Sequence, residues 1–157
     1  MKRFGNLYSK ICTIENIELA FRKASRGKKH YKAVQETISH LNERLNKIRD
    51  MLVNKTYIVK PEHYKKKIIY DRVKFRELSK LDFYPHRIVQ WAIMNILEEI
   101  FYKIFISSTY ASIKKRGIHK LLKDVKKSIF KDPLGCQYCL KLDIKHFYPS
   151  IDHDILK

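Results

Sequence analysis

Val34, Ile38, Leu41, Leu45, Ile48 and Leu52 follow one another at alternating steps of four and three residues, the spacing that lines up one face of an α-helix. The stripe predicts a long helix from about Tyr31 to Val53 with those side chains turned to a core; it is short for a coiled-coil seam. Upstream, Thr13 stands before Ile14, Ile17, Phe21 and Ala24, the pattern of a capped amphipathic helix for which Gly27 is a natural stop. Arg26-Gly27-Lys28-Lys29-His30 makes a basic turn between the two.

From Tyr57 the pattern shortens. Tyr57-Ile58-Val59, Lys67-Ile68-Ile69-Tyr70 and Val73-Lys74-Phe75-Arg76-Glu77-Leu78 are β-branched or alternating and read as strands, the last two as a hairpin. Alternation puts Val73 and Phe75 on one side and Lys74 and Arg76 on the other. The residues alone leave two readings of those cations, a solvated sheet face and a pair aimed at an anionic ligand. Pro85 suits the first turn of a helix, and Ile88, Val89, Ala92, Ile93, Ile96, Leu97 and Ile100 give that helix a broad apolar face. An aromatic-rich stretch runs from Phe101 to Tyr110. A further helix is expected from Ile118 to Phe130 with Leu121, Leu122, Val125 and Ile129 inward. Asp132-Pro133-Leu134-Gly135 is a turn, Cys139 to Ile144 a buried strand, and Ser150 or Asp152 the cap of a last helix reaching Lys157. The fold class is therefore α+β, one partial domain over 1–157 with a helical region at 1–56 and further regions at 57–135 and 136–157.

The 34 Lys and Arg residues face 16 acids, for a net charge of +18. So much like charge disfavours a compact state unless a polyanion neutralises it. With 45% hydrophobic residues and ten tyrosines, the chain is not a disordered basic tail. Cations for phosphates and rings for bases favour nucleic acid; an anionic membrane surface and an acidic protein are the other classes. Met1-Lys2-Arg3 is not followed by an apolar run, and Ile88 to Leu97 is interrupted by Gln90 and Asn95 and too short to span a bilayer. Three cysteines form no disulfide framework. A cytoplasmic protein with no membrane partner is expected.

The most chemically specific segment is Leu140-Lys141-Leu142-Asp143-Ile144-Lys145-His146-Phe147-Tyr148-Pro149-Ser150-Ile151-Asp152-His153. An acid at the end of an apolar strand is costly to bury unless something compensates it, commonly a metal. The segment resembles the first catalytic motif of reverse transcriptases. Three upstream segments resemble the same family in its order: Lys74-Phe75-Arg76-Glu77-Leu78, Pro85-His86-Arg87-Ile88-Val89-Gln90-Trp91-Ala92, and Tyr110 to Lys120 with its Gly117-Ile118-His119. The opening Arg3-Phe4-Gly5-Asn6-Leu7-Tyr8 is similar to bacterial members of the diversity-generating-retroelement type.

The resemblance implies an RNA-directed DNA polymerase of a bacterial retroelement: N-terminal helices, a fingers hairpin, and helices packed on the first strand of a palm sheet. It implies Asp143 as catalytic metal ligand, joined by the backbone carbonyl of Ile144, in a site for two magnesium ions. Lys74 and Arg76 would hold the incoming triphosphate. Arg87 would contact substrate or brace the fingers through a buried salt bridge, and Tyr148, with Phe147 as rival, would gate the sugar. RNA template, primer or cDNA, and deoxynucleoside triphosphates are the implied partners.

The departures matter as much. Two-metal chemistry needs more carboxylates, and the chain contains no Asp-Asp pair; the primer-gripping and thumb segments of the family are missing too. Asp152 reads as a helix cap and Asp154 as solvent-facing. The expectation is a fragment inactive alone, completed by a missing palm and thumb part. Its alternatives are a non-catalytic RNA-binding module or half of a split polymerase. Cys136-x-x-Cys139 has metal-knuckle spacing, but with no second pair, and with Cys139 placed in a strand, it reads as structural. His119 and His146 read as packing or phosphate contacts.

Overall fold

The computed structural model describes residues 3–156; Met1 and Lys2 of the charged start, and Lys157 at the expected end of the last helix, lie outside them. The chain falls into two compact units, one running to Ile104 and the other beginning at Phe105. That division lies inside the expected 57–135 region, away from 56/57 and 135/136.

The first unit is built on helices. Helix α1 spans Leu7–Ile11, α2 Ile14–Ser25, α3 Lys32–Ser39, α4 Leu41–Val53 and α5 Ile88–Ile104. Thr13 caps α2 as expected: its hydroxyl accepts from the Asn16 backbone N–H at 3.3 Å. Gly27 follows at φ +70°, in the left-handed region where glycine carries no Cβ penalty. Ile17, Ala20 and Phe21 of α2, Leu45, Ile48 and Leu52 of α4, and Ile88, Val89 and Ala92 of α5 form one buried cluster. A polar chain runs through it. Asn16 donates to the carbonyls of Ile11 and Ala92 at 3.1 and 3.0 Å. Asn95 donates to Asn16 at 3.0 Å and accepts from Lys23 at 2.7 Å.

The expected single helix from Tyr31 to Val53 is two helices, broken at His40 (φ −127°, ψ 40°). Thr37-Ile38-Ser39-His40 is a run of weak helix formers, and the Ser39 hydroxyl donates back to the Glu36 carbonyl at 3.1 Å, a local bond that competes with the helical ladder. The break turns Ile38 out of the stripe, leaving it 42% exposed.

Tyr57-Ile58-Val59 is likewise not a strand. Lys55 takes φ +56°, and the N–H groups of Lys55 and Thr56 bond to the carbonyls of Leu52 and Met51. This Schellman-type stop directs Tyr57 inward, where its hydroxyl meets Nδ1 of buried His86 at 2.8 Å.

The hairpin is present: β1, Lys65–Asp71, pairs antiparallel with β2, Lys74–Lys80. Val73, expected in the strand, occupies the turn and is 87% exposed. Arg72 beside it takes φ +46°, and the Val73 N–H bonds to the Asp71 carbonyl, so the chain reverses before pairing resumes at Lys74. Pro85 does not open the next helix directly. Tyr84 is extended (φ −104°, ψ 134°), as the residue before a proline prefers, and regular helix begins at Ile88.

In the second unit α6 spans Ile118–Lys131 and α7 His153–Leu156. Tyr110 and Lys120 both donate to Asp124 at 2.8 Å. Lys120 first and Tyr110 second hold that carboxyl below the usual carboxylate range. Asp132 Oδ1 accepts from the Gly135 N–H at 2.8 Å, closing the expected turn. None of the described residues from Phe105 on is buried. Leu121, Leu122, Val125 and Ile129, expected inward, are each more than a third exposed; with no buried residue among those described in the unit, α6 has no core to turn them to. The expected palm strand from Cys139 to Ile144 is not formed among the described residues: the segment has no ladder partner and is open, with Leu140 and Leu142 82% and 81% exposed. Apolar alternation makes a segment ready for a sheet; a strand also needs a backbone partner, which the described residues do not supply. The fold is mixed α and β, and its sheet among the described residues is the hairpin.

Candidate functional site

The pairing register decides what the hairpin presents. Partners across an antiparallel ladder share a face, so Lys65, Lys80, Lys67, Leu78, Ile69, Arg76, Asp71 and Lys74 lie on one side. Five cations thus share a face with one acid. The other side carries Ile68, Lys66, Glu77, Ser79 and the opposed rings of Tyr70 and Phe75, whose centroids are 5.1 Å apart. Lys74 and Arg76 therefore do project together, as alternation predicts.

Their surroundings differ. Arg76 Nε donates to Asp71 Oδ2 at 2.8 Å, which leaves the two terminal guanidinium nitrogens for another anion. Lys74, directly opposite Asp71 in the ladder, makes no ion pair among the described residues. At the other end Lys65 grips Asp82 with contacts of 2.7 and 2.8 Å, and this bond is the main reason that the Asp82 carboxyl is held below its ordinary range. The hairpin is thereby tied to the turn that carries His86.

Arg87 makes no salt bridge among the described residues. It is exposed, donates to Gln90 at 3.2 Å and lies 6.0 Å from the centre of the Trp91 ring, with Lys23 also over that ring at 5.7 Å. Arg87, Gln90 and Trp91 line an apolar hollow of about 450 Å³ with Ile93, Met94 and Glu98.

In the second unit Asp143 and Ile144 sit in the exposed, unladdered segment. Past them His146 takes φ +54°, and Ser150 donates to the carbonyls of His146 and Phe147, both at 2.9 Å. That turn sets the Phe147 and Tyr148 rings edge to face, 5.3 Å apart. Tyr148 is 81% exposed and Phe147 50%. Asp152, of the two expected caps, is the one used: its Oδ1 accepts from the N–H groups of Asp154 and Ile155 at 2.8 and 3.2 Å. Asp152 is thus engaged elsewhere than at Asp143. Among the described residues no three His, Cys, Asp or Glu side chains gather closely enough to hold a metal ion. A complete two-magnesium site is therefore not assembled among the described residues, which offer Asp143 and the Ile144 carbonyl toward one.

Two features escaped the sequence reading. Lys67 and Lys80 join the cationic face, and the signal was there in the alternation of Lys65-x-Lys67 and of Lys74 through Lys80. His63 and His86 approach with ring centroids 5.2 Å apart; nothing in their 23-residue separation announces it. No helix among the described residues is long and apolar enough to cross a membrane.

The chain matches no protein-family model and no curated protein.

Proposed function

We propose that this chain is the fingers and first catalytic segment of an RNA-directed DNA polymerase, a nucleotidyltransferase of the bacterial retroelement kind, and that its own contribution is to bind RNA and nucleotide. The observation that supports this best is the hairpin: Lys74 and Arg76 share one exposed face with Lys65, Lys67 and Lys80. Phosphoryl transfer is catalysed chiefly by positioning and charge neutralisation, and cations on a paired strand meet that need better than cations on a loop. Lys74 and Arg76 hold the triphosphate, Arg87 lies along the substrate path, and the template follows the basic surface.

Asp143 and the Ile144 carbonyl are one corner of a magnesium site whose other carboxylates these residues do not supply. Tyr148, the more exposed ring, is the better placed sugar gate, with Phe147 packed at its edge. The non-catalytic RNA-binding module is the second reading. The lack of an Asp-Asp pair favours it for the chain by itself, as it does half of a split polymerase.

Two measurements test the proposal. The chain should bind single-stranded RNA with an affinity that falls steeply with salt, each phosphate contact adding about 0.7 to the log–log slope; a flat response sinks the RNA reading. With magnesium, deoxynucleotides and a primed RNA template, the 157-residue chain should extend no primer. Template-dependent incorporation would overturn the assignment of incompleteness. Activity gained on adding a polypeptide that carries the Asp-Asp turn, and lost with Asp143→Ala, separates the enzyme reading from the binding module.

A further inference from the structure

Cys136 and Cys139 take no part in the site described above. Both are exposed and unbridged, while Cys12, the third thiol, is buried. A purely structural role is expected on two grounds, that no second pair exists and that Cys139 is placed in a strand; the second ground falls, since residues 139–144 are exposed and form no strand. The chain is turned just before the pair by the Asp132–Gly135 bond and bends again at Gln137, between the two thiols. Among the described residues no backbone hydrogen bond holds 136–145.

A disulfide needs Cα atoms within about 7 Å and Cβ atoms facing one another. Two intervening residues in an unladdered bend can meet that requirement by local torsion alone, with nothing else to break. A thiolate-bound metal is the competing chemistry, and it asks for three or four ligands, which are not gathered here.

We propose that Cys136 and Cys139 are a reversible redox pair, a dithiol that closes to an intramolecular disulfide by exchange with a small anionic disulfide of the glutathione class. One cysteine thiolate attacks a sulfur of the small disulfide, forming a mixed disulfide and expelling one small thiolate. The second cysteine thiolate attacks the cysteine sulfur of that mixed bond and expels the other. Two electrons leave the cysteines, the small disulfide is reduced to two thiols, and the two cysteine protons end on them. The net charge of +18 draws an anionic oxidant toward the chain. The closed loop ends four residues before Asp143, so oxidation restricts the paths open to the acid-bearing segment.

Lys131 and Lys141 bracket both thiols, so trypsin releases them on one peptide, Asp132 to Lys141. The full chain is equilibrated with glutathione disulfide, quenched with a maleimide and read by intact and peptide mass. The reduced chain should take two labels on that peptide. The oxidised chain should take none, the peptide being lighter by two hydrogens, and dithiothreitol should restore both labels. Cys136→Ser and Cys139→Ser should each stop at a stable glutathione adduct on the remaining thiol. Two adducts or two maleimide labels on the oxidised wild-type peptide would overturn the proposal, as would bridges that link two chains.

Discussion

Arg76 and Asp71 are joined across the hairpin by a 2.8 Å bond from Nε to Oδ2, on the same face as Lys74. The acid occupies one edge of the guanidinium and offsets one of the face's positive charges. An exposed pair of this kind contributes about 1 kcal/mol or less to stability, so its larger effect is on what the face attracts. Asp71→Asn should leave folding nearly unchanged and tighten single-stranded RNA binding a few-fold, with a steeper salt slope. Lys74→Ala should weaken binding and flatten the slope by about 0.7. Fluorescence anisotropy of a labelled oligonucleotide across a salt series reads both; an unchanged slope in the two variants removes the hairpin from the binding surface.

Asn16 and Asn95 join α2 to α5 inside the core. Replacing Asn16 with Ala takes the side-chain donor from the Ile11 and Ala92 carbonyls and leaves the Asn95 amide only its longer, 3.4 Å bond to the residue-16 backbone carbonyl, and should cost about 1–3 kcal/mol. Denaturant unfolding of Asn16→Ala, Asn95→Ala and the double variant tests it. Strictly additive losses would show that the two asparagines do not act together.

Burial, and then the nearby His63, push the imidazole of His86 below its ordinary value of 6.5, with Asp82 opposing. The unfolded chain therefore binds this proton at a higher pH than the folded chain does. The stability that neutral His86 contributes is complete above about pH 6.5 and is lost as the pH falls from there through the lowered folded value. Thermal unfolding from pH 7.5 down to 5 should show a steeper decline for wild type than for His86→Gln. Parallel curves would place the pH sensitivity on the other histidines.

Ile48 is fully buried and Leu142 is 81% exposed. Ile48→Ala should cost about 2–5 kcal/mol, and Leu142→Ala should stay within about 0.5 kcal/mol. A comparable loss for Leu142→Ala, measured in the same denaturant titration, would mean that the segment is packed in solution.

The local signals were the readable ones. Thr13, Gly27, the hairpin, α6 and the Asp132 turn each follow from a few adjacent residues, and the face shared by Lys74 and Arg76 follows from alternation. What the sequence misplaced depends on partners. The stripe from Val34 to Leu52 has helical period throughout, yet Ser39 and His40 break it by a side-chain bond that periodicity does not register. Tyr57-Ile58-Val59 has strand composition, but the backbone of Lys55 and Thr56 is spent on closing α4. Leu140 to Ile144 alternates as a strand does, and alternation cannot say whether a neighbour is there to pair with it. The proximity of His63 to His86 is tertiary and had no local signal at all.

The hairpin is a single layer, with cations on one side and Tyr70 and Phe75 on the other. A strand of nucleic acid lying on the first side is held by a force that dissolved ions weaken. One that passes over the second is held by stacking, which ions scarcely affect and which sulfate-type salts reinforce. A molecule that wraps the ribbon would loosen on one side and keep its hold on the other, so salt would change which side carries it before it let go.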